Sequence, residues 1–220
     1  MSCPHLSPFC NKVRRCLRYK ELAFSVRDYN GLSALKAAKL SRQGTLPVLE
    51  YDGEYVVDSA AIAAFLDDKY PGHPLYPADP EARAMARFWE DWAGQSLYFY
   101  ELYFRMLIPD ARAKAVALVC EGRPAWEKTI INLAFKRRYP KKLAAQGLGR
   151  FSDAEIEQQI LTHLDGLERI LERRPFLVGD SLCIADISVA GQLDELVRTS
   201  RLAPQILASP KVADWLSRLP

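Results

Sequence analysis

The chain is poor in the residues that most often announce a chemistry. Its three histidines, His5, His73 and His163, lie far apart with no Cys or carboxylate partner at ligand spacing, so no metal site is expected. The five cysteines (Cys3, Cys10, Cys16, Cys120, Cys183) are odd in number and irregularly spaced, which argues against a disulfide framework and makes a reducing, cytoplasmic setting the expectation. Charge nearly cancels: 30 Lys and Arg against 27 Asp and Glu leave +3, too little to point to nucleic acid or an anionic membrane surface. No apolar run approaches the roughly 20 residues of a bilayer span. The opening MSCPHLSPFC lacks the basic region and long apolar stretch of a signal peptide. There is no internal repeat and no low-complexity tract.

What is present is an ordinary globular composition, 49% hydrophobic and 26% charged over 220 residues, enough for one large domain or two small ones. Its most patterned stretch is Gly44–Leu66, GTLPVLEYDGEYVVDSAAIAAFL. It reads as a strand (Leu46–Tyr51), a turn at Asp52-Gly53, a second strand (Glu54–Val57) and a helix beginning at Asp58-Ser59. Asp-Gly between two apolar runs is a strong hairpin signal, because both turn positions favour φ > 0. Asp58 and Ser59 stand where a helix needs a side-chain acceptor for its unpaired N–H groups. A helix N-terminus also carries partial positive charge, so those N–H groups and the Ser59 hydroxyl suit a ligand carboxylate. Pro47 cannot donate to a ladder, so it belongs at a strand's first residue or a bulge, where the cis form is admissible. The backbone of Leu46 would then face outward, free to pair with an extended peptide.

Upstream, Cys3–Leu6 reads as a short strand, and Ser7-Pro8-Phe9 opens a helix whose proline sits where a missing N–H costs nothing. Val13, Cys16 and Leu17 give that helix one buried stripe, with Arg14, Arg15 and Arg18 facing water. Ala23–Asp28 reads as a strand and Leu32–Leu40 as weakly helical. The order β-α-β-α-β-β-α predicts a small mixed α/β domain, a sheet with helices on its faces. Four prolines between Pro71 and Pro80 form a stiff linker. Everything beyond reads as helix: one long aromatic-rich helix over Glu81–Ile108, and a second region over Asp110–Leu143, interrupted near Gly122-Arg123-Pro124 and ended near Pro140. A capping box at Ser152 and Glu155 starts the next, reaching Arg173, and Ile184–Val197 and Lys211–Leu219 complete the set. The expected organisation is a domain over 1–72, a linker over 73–80 and an all-α domain over 81–220. The basic run Lys136–Lys142 reads as a solvated helix end.

Together these segments resemble the glutathione transferase superfamily over nearly the whole chain. HLSPFCNKVRRCLRYKEL is similar to that family's first strand, active-site turn and first helix. GTLPVL resembles its glutathione-binding loop with a cis-proline, DSAAIAAFL its Asp/Glu-Ser helix start, and FLVGDSLCIADISVAGQLDEL its buried aspartate motif. LAAQGLGRFSDAEI is similar to the helical part of Fax- and metaxin-like members. The resemblance implies a thioredoxin-like N-terminal domain followed by an all-helical one, glutathione as co-substrate with no metal, a small apolar electrophile as second substrate, a homodimer, and a role in detoxification.

It also implies roles residue by residue. Ser7 matches the serine of a serine-type active-site turn, which donates to the glutathione thiolate; a thiol of pKa near ~8.5 needs such help to ionise. Ser7 equally suits a plain helix cap. Phe9 and Cys10 belong to the same turn. Cys10 stands where a redox Cys-x-x-Cys motif has its second cysteine, but Ser7 replaces the first, so a packing role competes with a thiol oxidoreductase role. Leu46 and Pro47 match the main-chain docking edge for the cysteinyl part, and Asp58 and Ser59 the γ-glutamyl anchor. Lys39, Arg42 and Gln43 are candidates for the glycine carboxylate. Among the aromatics of the long helix, Tyr98, Tyr100, Tyr103 and Phe104, the pair Tyr98 and Tyr103 is the candidate wall of an electrophile pocket, although aromatics at helical spacing also suit a core. Asp186 matches the structural motif aspartate. The family's Ser or Thr three residues earlier is Cys183 here, which predicts a cap weaker by roughly 1 kcal/mol. A non-catalytic binding protein of the Fax or metaxin kind is the remaining alternative.

Overall fold

We describe residues 1–3, 6–41 and 44–220 of the chain from a computed structural model. Four strands make one sheet in the order β2-β1-β3-β4: β1 (Ser2–Cys3), β2 (Arg27–Asp28), β3 (Val48–Tyr51) and β4 (Glu54–Val57). β1 runs parallel to β2 and antiparallel to β3. β3 and β4 form the expected hairpin, with Val48 opposite Val57 and Tyr51 opposite Glu54. Both turn residues, Asp52 and Gly53, have positive φ, at 48° and 83°, the conformation to which Asp-Gly is suited. Helices α1 (Pro8–Tyr19) and α2 (Ser59–Lys69) pack together through Cys10, Val13, Leu17, Ile62 and Leu66, all in the core.

The sheet is smaller than its sequence pattern suggests. β2 holds two residues, because its partner β1 is equally short and Met1 takes over the edge: its ammonium donates to the Ser25 carbonyl and its own carbonyl accepts from Arg27 N, each at 2.8 Å. The Leu32–Leu40 stretch is a 3-10 segment, Gly31–Lys39, rather than an α-helix. Of the first expected strand, Pro4 and His5 lie outside the described residues.

From Pro80 onward the chain is helical: α3 (Pro80–Trp92), a π turn (Ala93–Leu97), α4 (Tyr98–Met106), α5 (Pro109–Val119), α6 (Ala125–Gln146), a 3-10 turn (Leu148–Arg150), α7 (Asp153–Leu171), α8 (Ile184–Thr199), α9 (Ala203–Ala208) and α10 (Pro210–Ser217). Three details differ from the pattern reading. The aromatic helix is split by the π turn. α6 runs through Pro140 instead of ending there, leaving the Lys136 carbonyl without its i+4 donor. α9 has only six residues, too short for its apolar period to register. The capping box forms as expected: Ser152 N donates to Glu155 Oε2 at 2.7 Å, and Glu155 N to Ser152 Oγ at 3.4 Å. Among the described residues, no helix is long and apolar enough to cross a membrane.

Helix α8 is the hub, almost entirely buried and packed against α1, α3 and α4. A Cβ at Gly191 would lie 3.0 Å from the Pro8 carbonyl, so any larger residue would have to push α1 and α8 apart by a few tenths of an ångström. Polar clamps flank the contact. Arg15 donates to Asp194 at 2.6 Å and to the Pro220 carbonyl at 2.6 Å, and Asn11 donates to Asp194 at 2.7 Å. Arg15 is therefore buried at this seam and does not face water as the helix pattern suggests. Lys12 pairs with Glu90 of α3 at 2.5 Å, and Tyr76 Oη donates to the same carboxylate at 2.9 Å.

Asp186, fully buried at the start of α8, accepts from Leu177 N (2.9 Å), Cys183 N (3.1 Å) and Trp215 Nε1 (2.9 Å). The Cys183 thiol points at the same carboxylate from 3.6 Å, a weak donor where the family has a hydroxyl. Replacing Asp186 by Ala would strand three buried donors, each costing about 1–3 kcal/mol. Asp186→Ala is expected to lower stability by about 3 kcal/mol or more, measured by urea denaturation.

Candidate functional site

The N-terminus of α1, the Leu46–Pro47 loop and the N-terminus of α2 converge on one cleft facing the helical half of the chain. Its larger chamber, about 490 Å³, is bordered by Ser7, Phe9, Leu46, Pro47, Asp58 and Ser59 from the sheet side and by residues of the π turn, α4 and α6 from the helical side. A second chamber of about 270 Å³ shares Pro8, Phe9, Asp58, Ser59, Gly94 and Gln95 with it and extends toward Arg87, Glu90, Ser188 and Gln192. The π turn carries Gly94 to the wall, where a Cβ would stand 3.8 Å from the Phe9 ring. Such turns often re-aim a helix at functional sites.

Ser7 is the extended N-cap of α1, half-buried, with its Oγ accepting from Cys10 N at 3.3 Å. The cap uses the hydroxyl as an acceptor, and among the described residues no acceptor takes its O–H, so the cap does not exclude a further role as a donor. Leu46–Pro47 is a cis peptide. The Leu46 N–H and C=O make no backbone hydrogen bond to the described residues, as an edge for an extended ligand requires. Asp58 caps α2 with φ at +79°, its Oδ1 accepting from Ala60 N (2.9 Å) and Ala61 N (3.1 Å). Ser59, buried at the first helical residue, keeps an unpaired backbone N–H typical of that position. Phe9 lies against the Tyr98 ring at 5.0 Å.

Two of the sequence candidates are elsewhere. Cys10 is fully buried and belongs to the core beneath α1 rather than to the cleft wall; a position three residues past the cap points inward, onto α2. Tyr103 is 3% exposed, and its hydroxyl donates to Asp153 of α7, away from the cleft. Tyr100 and Phe104 are buried likewise, since the π turn rotates only Tyr98 and Phe99 to the opening. Lys39 does not border the cleft; Arg42 and Gln43, the other candidates for the glycine carboxylate, lie outside the described residues.

The helical wall carries what sequence reading missed. Arg138, Tyr139 and Lys142 of α6, with Arg105 of α4, border the larger chamber. The basic run expected as a solvated helix end thus turns two of its cations to the cleft, at i and i+4 on one helix face, and that spacing was the available signal. Lys142 Nζ donates to Tyr98 Oη at 3.1 Å and sits 4.7 Å over the same ring. Burial lowers its pKa, and burial likewise raises those of Tyr98 and Tyr139. The pocket expected to be apolar is in fact aromatic and cationic.

A four-stranded mixed sheet with an all-helical extension and a cleft at their seam is the arrangement of the glutathione-binding fold, and comparison with known proteins agrees. The family model for the glutathione S-transferase N-terminal domain matches residues 5–74, and that for the C-terminal domain matches residues 143–218. The chain belongs to the glutathione S-transferase superfamily. It is 29% identical over 202 residues to "Failed axon connections" of Drosophila melanogaster, covering 88% of this chain and 47% of that protein, so it spans about half that relative's length. It is 22% identical over 222 residues to the isoprene-epoxide–glutathione S-transferase of Rhodococcus sp., covering 98% of this chain and 92% of that one. A solved glutathione S-transferase from Methylobacillus flagellatus with glutathione bound superposes with a TM-score of 0.62 at 24% identity, over 99% of this chain and 91% of the other.

Beneath the cationic wall, Glu101 is fully buried with its Oε1 2.6 Å from Arg105 Nε. Burial pushes its carboxyl up to about 8, against the pull of Arg105. A folded state that holds a proton which the unfolded chain releases near pH 4.5 loses stability as pH rises between those values. Glu101→Gln keeps a neutral side chain at every pH. Its stability relative to the unsubstituted protein is expected to rise on the order of 1–3 kcal/mol from pH 5 to 8, read from denaturation midpoints at each pH.

Proposed function

We propose that the chain binds glutathione in this cleft, holds its thiol as the thiolate through Ser7, and conjugates it to an electrophile. The observation that carries this reading is that Ser7, Leu46, Asp58 and Ser59, distant in sequence, border one chamber. The cysteinyl main chain would pair with Leu46. The γ-glutamyl carboxylate would take the N–H groups and hydroxyl at the start of α2, where the helix dipole favours it. Asp58 Oδ2, not used in the cap, would face the ammonium. The Ser7 O–H and the α1 N-terminus would favour sulfur as the anion. The thiol proton leaves to solvent, sulfur forms a C–S bond at the electrophilic carbon, and a leaving group departs with its electron pair or, in an epoxide, the C–O pair collects on oxygen and is protonated. Phe9, Tyr98 and Phe99 would pack the body of the electrophile. Phe9, Pro47 and the site serines belong to the binding surface in this reading, whereas full burial of Cys10 speaks against the thiol oxidoreductase alternative. A cytoplasmic detoxifying role is part of the same proposal.

A second reading has its own support. The relative "Failed axon connections" matches 88% of this chain, and a non-catalytic binding role would leave the cleft without turnover. Calorimetric titration with glutathione separates the two. Binding between ~10 μM and 1 mM, weakened at least tenfold by Ser59→Ala, is expected. Ser7→Ala should keep that binding within a few-fold, raise the pKa of the bound thiol in its ultraviolet absorbance, and slow conjugation by roughly 10²-fold. No heat and no thermal shift at about 10 mM glutathione would reject the transferase reading.

A homodimer completes the proposal. Phe88 is 68% and Met85 43% exposed on α3, beside an apolar groove lined by Trp89, Trp92, Leu167 and Ile170. Sedimentation is expected to show a dimer that Phe88→Glu converts to monomer; a monomeric parent protein would overturn this.

A further inference from the structure

Three cations border the helical wall of the larger chamber, and the one acid on its lining, Asp58, belongs to the sheet wall. Arg105 is 4% exposed. Its Nε meets Glu101 at 2.6 Å, and among the described residues no hydrogen bond occupies its two outer nitrogens. Arg138 is exposed and forms no ion pair or hydrogen bond with the described residues. Among the described residues, Lys142 has the Tyr98 hydroxyl and the Tyr98 and Phe99 rings as direct partners, none of them anionic, with Glu101 a more distant charge. Buried or half-buried cations are costly without a counter-charge. Two buried carboxyls, Glu101 and Glu195, face Arg105, and burial holds both toward their neutral forms; among the described residues neither Arg138 nor Lys142 has a carboxylate within ion-pair distance. The chamber is large enough to hold a small ligand between this wall and Ser7.

We propose that the helical wall is a carboxylate-binding subsite, so that the second substrate is an electrophile with an aromatic or apolar body and a carboxylate at its far end. The inference rests on the transferase reading and names its substrate class. Tyr98 and Phe99 hold the body; Arg105, Arg138 and Lys142 take the anion, with the guanidinium of Arg105 able to present two N–H groups to one carboxylate. The glycine carboxylate of glutathione is the other anion within the same chemistry, and the test separates the two sources.

Two stable thioethers serve as probes, S-benzylglutathione and S-(4-carboxybenzyl)glutathione, titrated calorimetrically into the full chain and into Arg138→Gln and Lys142→Gln. Arg138 is exposed and has no hydrogen-bond or ion-pair partner among the described residues, so its variant tests binding with little disturbance of the fold. The carboxylated thioether is expected to bind about tenfold tighter than the parent, some 1.4 kcal/mol, and the advantage should shrink toward one in each variant and with added salt. Equal binding of the two probes by the unsubstituted protein overturns the proposal. An equal loss of both probes in the variants also overturns it, by assigning the cations to the glycine carboxylate. Failure to bind either probe or glutathione itself rejects the underlying transferase reading instead.

Discussion

Helix α1 lies so close to α8 that the Pro8 carbonyl occupies the space a side chain at Gly191 would need. The site depends on this contact. It sets the N-terminus of α1, and with it Ser7, against the helical half. The Arg15–Asp194 and Lys12–Glu90 pairs, both largely removed from water, fix the rotation of one half on the other. Breaking one partner of such a pair leaves a buried charge uncompensated, so the seam resists opening even though the sheet itself is small. The cleft is what remains between two halves that meet firmly along α1 and α8 and less closely beyond.

The helical half is organised from the other end of α8. Asp186 collects three donors from the preceding loop and from Trp215 of α10, which ties the C-terminal helices to the hub. That arrangement places α3, the π turn and α4 at the cleft as one unit. The π turn then decides which aromatics reach the opening: Tyr98 and Phe99 do, while Tyr100, Tyr103 and Phe104 turn into the core.

The chemistry of the cleft is divided between its walls. The sheet side offers main-chain groups, two helix N-termini and a serine hydroxyl, features that suit a peptide thiolate. The helical side offers rings and cations. A ligand spanning both would meet a hydrogen-bonding edge at one end and a positive, aromatic face at the other, in a chamber partly shielded from solvent where charge–charge attraction is stronger than in water.

Local sequence was enough for features whose cause is local. The Asp52-Gly53 hairpin, the Asp58 and Ser152 caps and the cis bond before Pro47 follow from the conformational demands of a few adjacent residues, and each is present as read. Ser7, Leu46, Pro47, Asp58 and Ser59, which the structure brings to one cleft, were placed locally for the same reason, because they sit at helix starts and a proline loop. What depends on the packing of distant segments was not legible. Arg15 looked solvent-facing on its own helix and is buried by α8. Pro140 looked like a helix end and is carried through by the surrounding structure. Tyr103 and Cys10 suited either the cleft or the core by sequence and are core. Above all, the Lys136–Lys142 run is polar whichever way it faces, so the i, i+4 spacing of Arg138 and Lys142 puts them on one helix face without saying what that face meets. Only the seating of α6 beside α4 turns Arg138 and Lys142 toward the cleft.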